Sequence, residues 1–276
     1  MERIKQALDK ARQERQIRQG TSDAPVPAST GQSRQDSRGI QYGQTPTITV
    51  DDAVLRENRI VTGLEPGPFT ESYNLLRTQI LQRFRENKWN VLAVTSPGSG
   101  AGKTLTTINL AISIAREVDY TVLLVDANLR HPWMMEHFGL PKRKGLSDYL
   151  TSDTPIEELL VKPSRVEHLV LLPGGQRLEH SAEMLSSPKM EELVSEMKSR
   201  YHSRIIIFDL PPVLSSADAL AFSPYVDAAL LVGARNERFE RPLQDRPAEL
   251  QARQIRLERH GDLGLARERG QCVRLS

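Results

Sequence analysis

The chain has 276 residues with 37 basic and 35 acidic side chains and a formal net charge of +2, a balance that makes no case for a nucleic-acid or acidic-lipid partner. Hydrophobic residues make up 38% of it, enough for one α/β core but, with only 5% aromatics, not for packing the whole length. The single cysteine, Cys272, cannot form an intramolecular disulfide, no signal sequence opens the chain, and no apolar run approaches the ~20 residues that span a bilayer. A cytoplasmic protein is expected, and any membrane association must come through a partner.

Residues 1–19, "MERIKQALDKARQERQIRQ", place Met1, Ile4, Leu8 and Ala11 on one narrow stripe and predict a weakly amphipathic N-terminal helix. Residues 20–46 are rich in Gly, Ser, Thr, Gln and Pro and read as a flexible linker. From Thr47 periodicity returns, and a packed domain is expected over 47–233. "FTESYNLLRTQILQRF" (69–84) predicts a helix capped by Thr70, with Leu75, Leu76, Ile80, Leu81 and Phe84 on its buried face.

Five short β-rich runs follow: "NVLAVTS" (90–96), "TVLLVDA" (121–127), "HLVLLPG" (168–174), "RIIIFDL" (204–210) and "DAALLVG" (227–233). Near-continuous apolar strands alternating with helical segments predict an α/β fold with a mainly parallel sheet between helices. Beyond Gly233 the composition shifts to ten Arg and no Lys, with no β-rich run. Residues 234–276 are therefore expected to be an Arg-rich tail, disordered or non-native. Its interrupting acidic residues and few aromatics argue against nucleic acid.

"TSPGSGAGKT" (95–104) fits the phosphate-loop pattern G-x-x-x-x-G-K-[ST] except that Pro97 replaces the first glycine. The loop follows a predicted strand and opens a predicted helix, so Gly98, Ser99, Gly100, Ala101 and Gly102 are expected to wrap phosphate with successive backbone N–H groups. Lys103 would reach the β and γ phosphates, and Thr104 would ligate Mg²⁺. Pro97 stands at the strand-to-loop turn, where a missing N–H costs no phosphate contact. Asp209, ending "RIIIFD", supplies a Walker B carboxylate, and Asp126, ending "TVLLVD", a second one at the carboxyl edge, where open α/β sheets bind ligands. His131, His137, His168 and His180 lack metal-ligand spacing and read as loop or surface residues.

"VLLVDANLRHP" (122–132) and "IIIFDLPP" (205–212) resemble the Walker A' and Walker B motifs of the bacterial tyrosine kinases (BY-kinases) of polysaccharide export. "ESYNLLRTQI" (71–80), "GLSDYL" (145–150), "LLPGG" (171–175), "AEMLSSPKMEELVSEM" (182–197) and "VLSSADAL" (213–220) extend the resemblance from about Arg59 to Gly233. It implies a P-loop NTPase of the deviant-Walker, MinD-like type, acting as an ATP-dependent protein-tyrosine autokinase that regulates exopolysaccharide or capsule synthesis. Lys103 and Thr104 would hold MgATP and Asp209 would support the metal. Asp126 would bind Mg²⁺ and take the proton of the attacking tyrosine, and Arg130 would face phosphate or serve structure. The implied partners are a transmembrane chain-length determinant as activator, tyrosine-bearing proteins including the chain itself, and further copies in a homo-oligomer.

The chain also departs from the family pattern. Asn128 replaces the second Walker A' aspartate, and Asn74 replaces the middle arginine of a ring-forming E-x-x-R-x-x-R segment whose Glu71 and Arg77 remain. Tyr225 is the last tyrosine, so the family's C-terminal tyrosine cluster is absent, and a shifted reading frame after Gly233 is the expected reason. Two alternatives stay open: a non-catalytic ATP-binding scaffold of the same system, and a ParA/MinD-like partitioning ATPase. Gly98 stands where the latter carries its signature lysine.

Overall fold

The computed structural model describes residues 45–60, 67–152, 154–200, 204–233 and 254–259. The expected helix 1–19 and almost all of the expected linker lie outside them. Contacts divide the chain at Gly39 and Ile40, and the second unit holds every described residue. It opens with β1 (Thr47–Ile48), α1 (Asp52–Glu57) and α2 (Pro68–Asn87), then β2 (Val91–Thr95), α3 (Lys103–Ala115) and β3 (Thr121–Asp126). Short helices α4 (Met134–His137), α5 (Leu146–Thr151) and α6 (Ile156–Leu159) lead to β4 (Lys162–Pro163) and β5 (Leu169–Leu172). After α7 (Ser181–Leu185) and α8 (Pro188–Arg200) come β6 (Arg204–Asp209), α9 (Asp218–Phe222), β7 (Ala228–Gly233) and β8 (Gln254–Arg259).

Six strands form one sheet in the order β5-β3-β6-β2-β7-β8. The first five are mutually parallel, as their apolar runs predict. Alternate residues feed two cores, because successive side chains on a strand point to opposite faces. Leu92, Val94, Leu124 and Ile207 pack on one face against Ile80 and Phe84 of α2 and Ile108 of α3. Val91, Ala93, Leu123 and Phe208 pack on the other against Met190, Leu193 and Met197 of α8. Helix α3 is buried nearly all round.

The fold corrects three expectations. Helix α2 starts at Pro68 after Gly67, with no side-chain cap; Thr70 is buried in its first turn rather than capping it, because proline's fixed φ and missing N–H favour the first helical position. Leu75 is 66% exposed, since the buried stripe runs Tyr73, Leu76, Ile80, Phe84 at three- and four-residue spacing. The third correction is β8. Gln254–Arg259 pairs antiparallel with β7 across the expected tail, so a strand does lie beyond Gly233. The remainder of 234–253 and 260–276 lies outside the described residues.

Candidate active site

The phosphate loop joins β2 to α3 at the carboxyl edge of the sheet. Gly100 (φ 76°) and Gly102 (φ 75°) take left-handed backbone conformations that side chains with a Cβ resist, and they turn the chain so that Lys103 and Thr104 begin α3. Gly98 has no such requirement, having an ordinary φ and open space where a Cβ would stand. Pro97 contributes through its carbonyl, which accepts the N–H of Leu214 at 3.4 Å, while the Ser96 carbonyl accepts that of Val213 at 2.9 Å. The Thr95 hydroxyl donates to the Pro211 carbonyl at 2.7 Å. The loop is therefore tied at its base to "DLPPVL", and the proline costs it no donor.

Behind the loop lies a compact polar cluster. Lys103 Nζ donates to Asp209 Oδ1 at 3.1 Å and Thr104 Oγ1 donates to Asp209 Oδ2 at 2.6 Å; Lys103 and Asp209 are 8% and 1% exposed. Such a buried pair needs both partners, because either charge alone would be stranded in low dielectric. Asp126 and Asp209 end adjacent strands in register. Asp126 Oδ1 accepts the N–H of Asn128 at 3.2 Å and Oδ2 that of Met134 at 3.1 Å. Burial, and next the neighbouring Asp209 charge, raise its carboxyl to about pKa 7 against the restraint of these N–H groups and Lys103.

A cavity of about 350 Å³ lies at the loop, lined by Ser96, Ser99 through Leu105, Trp133, His137 and Pro212. Gly98, Asp126, Asp209 and Arg130 are not on its surface. Arg130 turns aside: its Nε donates to the buried Asp218 carboxylate at 3.2 Å, whose other oxygen accepts the Ser181 hydroxyl. That partnership has no signal in the residues alone, since 88 positions separate Arg130 and Asp218. Sequence reasoning also missed Trp133, and it read His137 as a loop or surface residue, whereas His137 ends α4 and borders the cavity. The only available clue was their spacing of four, which puts them on one helical face.

No group of three or more His, Cys, Asp or Glu among the described residues is placed to hold a metal. Thr104 on Asp209, together with the Asp126 carboxyl ending the neighbouring strand, are instead oxygen groups of the kind that suits Mg²⁺ arriving with phosphate oxygens and water among its ligands; Asn128 Oδ1 is buried and unpartnered. The ring-segment residues are occupied within the chain: Arg77 pairs with Glu117 at 2.9 Å and donates to the Ser113 carbonyl at 3.2 Å, while Asn74 Oδ1 accepts from Ser113 Oγ at 3.2 Å.

Residues 89–232 match the family model described as an AAA domain, AAA_31. Over 186 residues the chain is 34% identical to tyrosine-protein kinase YwqD of Bacillus subtilis, an alignment covering 64% of this chain and 77% of that relative. The chain belongs to the bacterial tyrosine-kinase family. It is 30% identical over 214 residues to tyrosine-protein kinase wzc of Salmonella typhi, which spans 76% of this chain but only 28% of that protein. The solved kinase domain of Escherichia coli tyrosine kinase ETK aligns with a TM-score of 0.52 at 28% identity, over 56% of this chain and 60% of that one. Membership agrees with the resemblance carried by "VLLVDANLRHP" and "IIIFDLPP", and these kinase relatives disfavour the partitioning-ATPase alternative. No described helix is long and apolar enough to cross a membrane.

Proposed function

We propose that this bacterial tyrosine kinase binds MgATP in the loop 96–104 and transfers the γ-phosphoryl group to tyrosine on a protein acceptor, another copy of the chain included. The carrying observation is the convergence of Lys103, Thr104 and Asp209 within 3.1 Å at the start of α3, beside the cavity and next to Asp126. Phosphoryl transfer needs mostly alignment and charge neutralisation. Lys103 would exchange part of its hold on Asp209 for phosphate oxygens, and the loop N–H groups at the α3 N-terminus would share that charge. Mg²⁺, held by Thr104 with Asp209 and Asp126 behind it, would supply further neutralisation of the transferred group. Arg130, anchored on Asp218, would keep the loop after β3 in place.

Control of exopolysaccharide export, activation by the cytoplasmic segment of a transmembrane chain-length determinant and assembly into a homo-oligomer belong to the same proposal, supported by the family. The test is incubation of the full chain with labelled ATP and Mg²⁺, with and without that segment. Phosphotyrosine that disappears in Lys103→Met supports a kinase. Nucleotide binding without transfer under both conditions overturns it and leaves an ATP-binding scaffold.

A further inference from the structure

Neighbouring loops beside the phosphate cavity are stitched into one surface. The Leu178 N–H donates to the Leu129 carbonyl at 2.9 Å, which joins the loop after β5 to the loop after β3. The N–H groups of Leu146 and Ser147 donate to the Pro173 and Gly174 carbonyls at 2.8 and 3.0 Å, which joins it to the start of α5. The Gln176 N–H donates to Ser147 Oγ at 2.6 Å. The packing leaves no slack: a Cβ on Gly174 would meet Pro132 Cβ at 2.6 Å and Asp126 Cγ at 3.2 Å, and one on Gly145 would meet the Pro173 carbonyl oxygen at 2.0 Å. Pro132 in turn precedes Trp133, which lines the cavity. On this frame sit Lys142, Arg143 and Lys144 before α5, and Arg177 after β5. Lys144 and Arg177 are exposed and Arg143 is half-buried. None of these last makes an ion pair among the described residues, and Lys142 reaches Glu136 at 3.5 Å. Of the carboxylates nearby, Asp148 accepts the Gly145 N–H at 2.8 Å and Asp218 is buried against Arg130; Glu179 and Glu183 are exposed on the stretch that follows. In a chain whose net charge is only +2, this is a local concentration of cations.

We propose that Arg143, Lys144 and Arg177 form the acceptor-docking surface of the kinase and take peptides whose tyrosine is flanked by glutamate or aspartate. The inference rests on the kinase reading above. Charge complementarity chooses the occupant. Unpaired cations on a rigid frame attract carboxylates, and at the edge of an interface such groups speed encounter and select partners more than they add affinity. A guanidinium group also matches the two oxygens of a carboxylate, which an ammonium group does not. The surface adjoins the loop after β3, so a peptide held there passes beside the phosphate cavity. It asks nothing of the groups that bind phosphate and metal: Lys103, Thr104, Asp126 and Asp209 keep their places in the transfer itself.

The test uses the full chain with peptides that share a central tyrosine and carry glutamates, glutamines or lysines around it. The glutamate peptide should show a KM about tenfold below that of the glutamine peptide at low salt, and the gap should close as salt is added, because exposed charges are screened. Lys144→Glu combined with Arg177→Glu should reverse the preference, so that the lysine peptide gains about tenfold at unchanged nucleotide Kd. Loss of a merely structural contact would improve no peptide. The milder pair Lys144→Gln and Arg177→Gln should level the preference. Anisotropy of a fluorescein-labelled glutamate peptide reads binding without turnover. Binding that is lost in the charge-reversed variant, in a protein that transfers no phosphate, would support the surface while sinking the kinase reading. Equal KM values for the peptides in the wild type, or a glutamate preference left intact in the charge-reversed variant, overturns the surface. So does capture of phosphatidylglycerol vesicles that disappears in that variant while the peptide preference persists, since the cations then serve a lipid surface.

Discussion

The two ends of α3 border cavities of similar size and opposite chemistry. At its start, the space of about 350 Å³ is floored by backbone N–H groups, Lys103 and Thr104, with Asp209 behind them. At its end, a space of about 310 Å³ is walled by Val50, Leu55, Ile60, Ile112 and Phe138, with Arg116, Arg165 and His168 also on its surface. Volume alone would not tell a nucleotide site from a packing defect. The helix decides, because its first turn presents unpaired N–H groups and positive partial charge, and its last turn the reverse. A buried ion pair stands only at the first end, where Lys103 and Asp209 hold each other.

That contrast can be broken most strongly at Lys103. Lys103→Met strands Asp209 as an unpaired buried charge, and a cost of about 3–5 kcal/mol is expected, together with loss of nucleotide binding. Urea unfolding and a fluorescent-nucleotide titration measure the two, and an unchanged unfolding midpoint would show that the pair carries no such dependence. At the other end, Leu55→Ala should cost about 2–5 kcal/mol by enlarging an apolar space while leaving nucleotide affinity unaltered. A matching loss of affinity would show that the two ends are coupled.

Asp126 gives a smaller, pH-dependent effect. Its carboxyl rises from 3.8 in the unfolded chain to about 7 when folded. Between those values the unfolded chain releases the proton and the folded chain retains it, so this group lowers stability as pH rises from about 4 to 7, by at most about 4 kcal/mol. Asp126→Asn should therefore gain on the wild type across that window, read as urea midpoints at pH 4.5 and 7.5. Parallel pH profiles would refute the shift. The smallest effect belongs to Pro97→Gly, which restores the common loop pattern. Nucleotide affinity should stay within about twofold, and stability should fall by about 0.4–1 kcal/mol through the freer unfolded chain, measured by the same titration and unfolding curves.

Much of this was legible in the residues. A strand that is buried on both faces must be apolar throughout, so β2, β3, β5, β6 and β7 announced themselves. A phosphate loop must place glycine, lysine and threonine at fixed steps, so Lys103 and Thr104 were readable one by one. Asp126 and Asp209 were readable because each ends such a strand. Elements whose state depends on a distant partner were not: Leu75 is chemically interchangeable with Leu76 and differs only in which way α2 faces, and "QIRLER" becomes β8 because β7 offers it an open edge.

The sequence by itself determined the parallel sheet, the phosphate loop and the family, because each rests on local periodicity or on a short motif with a fixed mechanism. Tertiary structure alone decided that Arg130 goes to Asp218, that Asp126 is sealed beside Asp209 with a carboxyl raised to about 7, and that Trp133 and His137 line the cavity at the loop. These are distances between residues far apart in the chain, or degrees of burial, and neither quantity is set until the sheet has brought its strand ends together.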